Sequence, residues 1–169
     1  MISDLANKWI EAGYEIFADE GPDGVQVEKL ARKISLNKSG FYHHFGDREG
    51  FFLKLLDYHY NRNEVFFKEL SEARQFDPDV ILLIVKYKTI SFFQGQLRNH
   101  MDNPIYNSAF TKVKKRNEKV YVKRWSEYLK IEENPDLAHE LWDIVRDLYF
   151  IRLNKNRLNS SVKSGVCLE

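Results

Sequence analysis

From Leu36 to Arg48 the chain reads Leu-Asn-Lys-Ser-Gly-Phe-Tyr-His-His-Phe-Gly-Asp-Arg. These residue types suit contact with phosphates and with the edges of bases. A DNA-reading helix must enter a major groove about 12 Å wide, with small polar groups near its tip and phosphate-binding groups on its flanks. Asn37, Lys38, Ser39 and Gly40 supply such a tip, while Tyr42, His43, His44 and the following Arg48 supply the rest. Helical spacing would turn Leu36, Phe41 and Phe45 inward and Lys38, Tyr42 and His44 outward. The same pattern also occurs in three-helix clusters that are only structural, and a tyrosine in such a helix can simply pack, so both readings stand on pattern alone. Metal chemistry finds no support. Adjacent His43 and His44 point about 100° apart on a helix, and no partner cysteine or HExxH pattern accompanies them. There is no phosphate loop, dinucleotide glycine fingerprint or nucleophile motif. We therefore expect no catalytic residue, no metal and no cofactor, leaving open only catalysis from scattered histidines and acids.

The charge of the whole chain hides this segment. With 26 Lys and Arg against 25 Asp and Glu the total is nearly neutral. Residues 1–54 hold seven bases and nine acids, but Lys29 to Arg48 holds five bases (Lys29, Arg32, Lys33, Lys38, Arg48) and one acid, Asp47. A net +4 sits where a DNA backbone would need it. The 12 Phe, 9 Tyr and 3 Trp, with 43% hydrophobic residues and only 8 Gly and 4 Pro, give the chain enough apolar surface for a folded core. The longest aliphatic run, Val80 to Val85, is far too short to cross a membrane. The first helix candidate carries Asp4, Glu11 and Glu15, unlike a secretory signal, and the lone cysteine, Cys167, permits no internal disulfide. These features point to a cytoplasmic protein with no membrane partner.

The elements that must position the segment are helical throughout. Ile2, Leu5, Ala6, Trp9, Ala12, Gly13, Ile16 and Phe17 recur at three- and four-residue steps. A second, two-turn helix carries Val27, Leu30 and Ala31. Asn37 is placed to cap a third and Asp47 a fourth, whose apolar stripe from Phe51 through His59 to Leu70 makes it the spine of the chain. A further helix is expected from Asp79 to Asn99, loosened at Gly95, then one opened by Asn103-Pro104 and running to about Lys130. The last spans Pro135 to about Lys155. Of its 17 residues from Leu137 to Leu153, 11 are apolar, more than the stripe of about 100° that one packed face requires. It should bury a second face. The expected division is 1–48, a helix-turn-helix domain; 49–158, a helical body; and 159–169, a polar, flexible tail.

Residues Trp9 to Leu55 resemble the tetracycline-repressor-like (TetR) family of bacterial transcriptional regulators. The resemblance is carried by Ala12, Ile16, Phe17, Gly21, Val27, Leu30 and Ala31, and above all by Leu36 to Phe45 followed by Asp47-Arg48-Glu49. It implies an all-α fold, with an N-terminal three-helix DNA-binding domain and an all-helical C-terminal domain for effector binding and dimerisation. It further implies phosphate contacts from Tyr42 and His44, a base or backbone contact from Lys38, and a phosphate contact from Arg48. Three positions depart from the family pattern. Ser35 stands at a turn position that is usually Gly, which implies a different turn or a residue tolerating positive φ. Gly40 stands where Thr is frequent, and Gln26 replaces the Ser or Thr that caps the second helix and touches phosphate.

For the body, the resemblance implies a homodimer formed by the last helices, with Trp125, Leu129, Trp142, Val145 and Tyr149 as candidate anchors. It also implies a small-molecule effector, for which Tyr58, Phe66, Tyr87, Phe92, Phe93, Gln94, Gln96 and His100 supply rings and polar groups. Ordinary core packing accounts for most of these equally well, and no ligand is named. A second basic run, Lys112 to Arg124, reads as a solvated helix face, with a nucleic-acid surface or an attractor for anions as alternatives. The leading expectation is a homodimeric repressor binding double-stranded DNA at a palindromic operator. The alternative is a ligand- or protein-binding module of the same fold that does not read DNA.

Overall fold

The computed structural model of the chain describes residues 4–164, the last twelve of them by backbone alone. The expectations placed on Ile2, Cys167 and the chain end beyond 164 lie outside the described residues. Eight α-helices and no strands occur among the described residues: α1 (Asp4–Glu20), α2 (Val27–Ile34), α3 (Lys38–Phe45), α4 (Arg48–Glu72), α5 (Ile81–Lys86), α6 (Lys88–Asn99), α7 (Pro104–Leu129) and α8 (Pro135–Ser164). The fold is all-α, as expected. No described helix is long and apolar enough to cross a membrane.

Most boundaries follow from local chemistry. Asn37 Oδ1 accepts the Ser39 backbone N–H (3.1 Å), and Asp47 Oδ1 accepts that of Gly50 (2.7 Å), so both caps lie where the sequence places them. Such a cap is worth about 1 kcal/mol. Asn103 and Asn134 cap α7 and α8 in the same way, each followed by a proline, which has no N–H to lose in a first turn. One break differs from expectation. The apolar stretch 79–99 is interrupted at Tyr87 (φ −103°, ψ 30°), not at Gly95, which lies buried inside α6. The Tyr87 carbonyl accepts from Ile90 N (2.9 Å), so the backbone restarts there as a new helix. A wide turn, Phe76–Val80, precedes α5, and its Asp77 is extended. At the other end α8 continues to Ser164, well past Lys155.

The chain forms two compact units: residues 4–67 with 87–113, and residues 68–86 with 114–164. In the first, α1 is the central helix, burying Ala6, Trp9, Ile10, Tyr14, Ile16 and Phe17 and packing on α2, α3 and α6. Gly13 lets the Phe51 ring of α4 lie directly on the α1 backbone, since a β-carbon there would overlap the ring. In the second unit, Phe76 meets Trp125 (5.1 Å between ring centroids) and Trp142 (6.1 Å), and Trp142 stacks on Tyr121 (4.7 Å).

A polar chain runs through the core of the first unit. His59 of α4 is fully buried, with Tyr14 Oη 2.8 Å from Nδ1 and Gln94 Oε1 2.9 Å from Nε2. Gln94 Nε2 donates to the Phe110 carbonyl of α7 (2.9 Å), which leaves its oxygen to accept from His59. Nε2 of His59 therefore carries the proton, and Nδ1 accepts from the Tyr14 hydroxyl. All three donors point one way, tying α1 to α4, α6 and α7. Phe93 covers the site, stacking on both His59 (4.3 Å) and Tyr14 (4.5 Å).

Burial pushes the His59 pKa down from 6.5 to about 4, with the nearby Arg62 guanidinium adding to the fall and the Gln94 hydrogen bond opposing it. The unfolded chain thus takes up the proton more readily than the folded one. Stability is complete above pH 6.5 and is lost as pH falls through the window from 6.5 to 4, by roughly 3 kcal/mol in all. Urea midpoints measured from pH 7 to pH 4.5 should fall accordingly, and His59→Gln should flatten that dependence. An equally steep fall in the variant would contradict the assignment.

Candidate nucleic-acid interface

Helix α3 is too short to persist alone, and Phe41 is its only fully buried residue. The Phe41 ring meets Trp9 of α1 edge-on (5.5 Å) and Phe51 of α4 (5.0 Å), with Phe45 beside it. At 100° per residue, fixing Phe41 inward sends Ser39 and His43 to the opposite face and Tyr42 to its flank. Lys38, Ser39, Tyr42 and His43 are indeed exposed, Tyr42 to 52%. His44 differs from expectation. It sits about 60° from Phe41, half-buried, and lines a groove with Phe45, Leu53 and Ile105.

The turn before α3 depends on Ser35, whose backbone is left-handed (φ 55°, ψ 41°). Leu36 N donates to the Ala31 carbonyl (3.0 Å) and Ser35 N to that of Arg32 (3.3 Å), closing the end of α2. The positive φ anticipated at this Gly-like position is present. Gly40 faces open space toward Trp9, whose Nε1 would lie 3.9 Å from an added β-carbon, an ordinary contact. The hydroxyl missing at that position is therefore not excluded by packing. Gln26 precedes α2 without capping it, and its Nε2 reaches the Asp23 carbonyl (3.4 Å).

The positive charge is less free than the sequence implies. Lys38 Nζ donates to Glu28 Oε1 on α2 (2.9 Å); that hydrogen bond holds the Glu28 carboxyl below its ordinary value and raises Lys38. Lys29 pairs with Glu20, and Lys33 with Glu15 (3.1 Å). Arg48 donates to the Pro22 carbonyl (2.7 Å) and lies over the Phe52 ring (5.2 Å), which orients its guanidinium at the start of α4. The lysine–glutamate contacts are exposed pairs of small net worth, so phosphates can replace the carboxylates. Glu28 is the group missed in the sequence: its partner lies ten residues away across a turn, a spacing no local rule connects.

Elsewhere, Glu118, His139 and Asp143 gather closely enough to offer metal ligands. Arg146 already bonds both Glu118 (3.4 Å) and Asp143, and Lys114 lies within 3.8 Å of Asp143, so the cluster is an ion-pair network. Of the effector candidates, Gln94 spends both ends of its amide on His59 and Phe110, and Phe93 covers that network. Phe66 packs on Tyr87 (5.4 Å), and Tyr58 meets Tyr14 (5.2 Å). His100 donates to the Gln96 carbonyl (2.8 Å). Of the dimer candidates, Trp142 is buried within its unit, Trp125 and Tyr149 are half-buried, and Leu129 and Val145 are exposed.

A short exposed helix, held by one buried ring behind a tight left-handed turn, defines the helix-turn-helix class. Residues 10–55 match the model of the tetR family of bacterial regulatory proteins. A stretch of 53 residues is 30% identical to the uncharacterized helix-turn-helix-type transcriptional regulator YuxN of Bacillus subtilis (strain 168), covering 31% of this chain and 18% of that protein's length. Two solved structures share the fold at 18% identity. One is a transcriptional regulator (TerR/AcrR family) from Aquifex aeolicus VF5, with TM-score 0.52 over 88% of this chain and 83% of that one. The other is a protein assigned to the tetR family of transcriptional regulators from Mesorhizobium loti MAFF303099, with TM-score 0.51 over 80% and 75%.

The left-handed turn makes a direct prediction. Ser35→Gly relieves a side chain from positive φ and should raise stability by about 1 kcal/mol, read as a higher urea midpoint at unchanged slope. A lower midpoint would mean that the serine side chain supports the turn.

Proposed function

We propose that the chain is a ligand-responsive transcriptional regulator, a cytoplasmic repressor that binds a palindromic operator in double-stranded DNA as a homodimer. The observation that carries this reading is the outward face of α3, where Lys38, Ser39, Tyr42 and His43 stand exposed on a helix fixed by Phe41. In this reading Asn37, Lys38, Ser39 and Gly40 approach base edges at the helix tip. Tyr42, Arg48 and Gln26 hold phosphates on either side, and His43 adds a donor. Residues 1–48 act as the reading head and 49–158 as the body that senses an effector, which shifts the equilibrium by binding the DNA-incompetent state more tightly.

Dimerisation is supported by α8. Leu137, Leu141, Ile144, Leu148 and Ile151 follow a four-three-four-three spacing along it, and all but the half-buried Leu141 are exposed. That is the seam two helices bury against each other. Leu129 and Val145 are exposed enough to join it. A two-fold dimer then reads two half-sites about 34 to 36 Å apart. The second reading, a module of this fold that does not bind DNA, draws on the pairing of Lys38 with Glu28.

Selection of genomic fragments on the purified protein tests the function. We expect a short motif with two-fold symmetry; failure to enrich any motif favours the second reading. Leu148→Glu should convert a dimer to a monomer in sedimentation velocity and weaken binding to the selected fragment by about tenfold or more, as loss of the second half-site requires. A variant that remains dimeric would move the interface away from α8.

A further inference from the structure

Lys112 of α7 lies over the Tyr60 ring (4.0 Å), and the other bases of that helix fall into two sets. Lys114 and Arg124 are half-buried and paired, Lys114 with Glu118 (3.4 Å) and Arg124 with Glu127 (2.8 Å). Lys115, Arg116, Lys119 and Lys123 are exposed. Steps of 100° per residue place these four within an arc of about 100°, along about 12 Å of helix. The acids of α7 are engaged by other bases: Glu118 is held by Lys114 and Arg146, and Glu127, just past the edge of the arc, by Arg124. Among the described residues, no acidic side chain pairs with Lys115, Lys119 or Lys123. The opposite side of the helix is fixed by packing, since Asn117 is buried, Tyr121 stacks on Trp142 and Trp125 meets Phe76. The row of cations cannot rotate inward.

We propose that this face of α7 is a second contact surface for duplex DNA, one that holds the phosphate backbone without reading sequence. It goes beyond the operator reading, because it involves no residue of the reading head and no base edge. Charge complementarity over a fixed length supports this surface. Each strand of a duplex presents one negative charge per about 3.4 Å of axis, so about 12 Å of helix faces roughly three phosphates of the near strand, a match for Lys115, Lys119 and Lys123. An anionic membrane fits less well. Surface-lying helices need apolar side chains beside the basic row to enter the lipid, whereas this arc holds only bases, and Val120 and Val122 at its margins are half-buried.

The test compares the wild type with two triple variants, Lys115→Gln/Lys119→Gln/Lys123→Gln and the same three positions changed to Arg. Each is titrated against a labelled duplex of random sequence, about four turns long, across a range of salt, and against vesicles containing phosphatidylglycerol. Three lost phosphate contacts should lower the slope of log affinity against log salt by about 2.7 in the Gln variant, while the Arg variant keeps it. Equal slopes in the wild type and the Gln variant overturn the proposal. So does vesicle binding tighter than duplex binding that disappears in the Gln variant. Fragment selection with the same proteins separates the two readings. An unchanged motif with the Gln variant supports a sequence-independent surface, and a changed motif overturns it. A slope that drops as expected when no motif is enriched leaves the α7 surface standing and the operator reading fallen.

Discussion

Phe41 carries the arrangement on which the reading head depends. Helix α3 is eight residues long, and its single fully buried side chain sits between Trp9 and Phe51. Burying a phenylalanine is worth about 2 to 3 kcal/mol, and here that energy also selects a rotation. With Phe41 fixed, the exposed set of Lys38, Ser39, Tyr42 and His43 is decided by the geometry of the helix. The left-handed turn at Ser35 and the Asn37 cap set where α3 begins, and the Asp47 cap sets where α4 takes over from it. Gly13 completes the support by letting Phe51 approach α1 closely enough to back Phe41.

The features legible in the sequence are those with local causes. A capping oxygen bonds an N–H two or three residues away, so Asn37 and Asp47 can be placed from pattern alone. The same is true of the left-handed residue that ends α2. Features set by distant partners cannot be read in this way. The break at Tyr87 is invisible because Lys86-Tyr87-Lys88 holds no Gly or Pro to mark it. His59 occupies a position in an apolar register, and only the arrival of Tyr14 and Gln94 from other helices makes it the centre of a polar chain. The family resemblance makes Trp142 a candidate dimer anchor, yet Tyr121 and Phe76 enclose it. His44 reads as an outer-face residue beside Tyr42, although its spacing from Phe41 turns it toward the groove.

Charge shows the same division. The +4 of Lys29 to Arg48 is correct as arithmetic, but folding brings Glu15, Glu20 and Glu28 against three of its lysines. Exposed pairs of this kind are weak and screened by salt. They pair the cations without committing them. On α7 the reverse occurs: the acids are held by Lys114, Arg124 and Arg146, beside a row of bases turned to solvent.

The central claim is that the exposed face of α3 enters a major groove. Guanine N7 lies in that groove, so dimethyl sulfate protection on a selected fragment tests the claim most directly. The account predicts two protected patches related by two-fold symmetry and separated by about one turn of the duplex, roughly 10 to 10.5 base pairs, with the protection lost when Lys38 and Tyr42 are replaced by Ala. Unprotected guanines on a fragment that the protein nonetheless binds would contradict it.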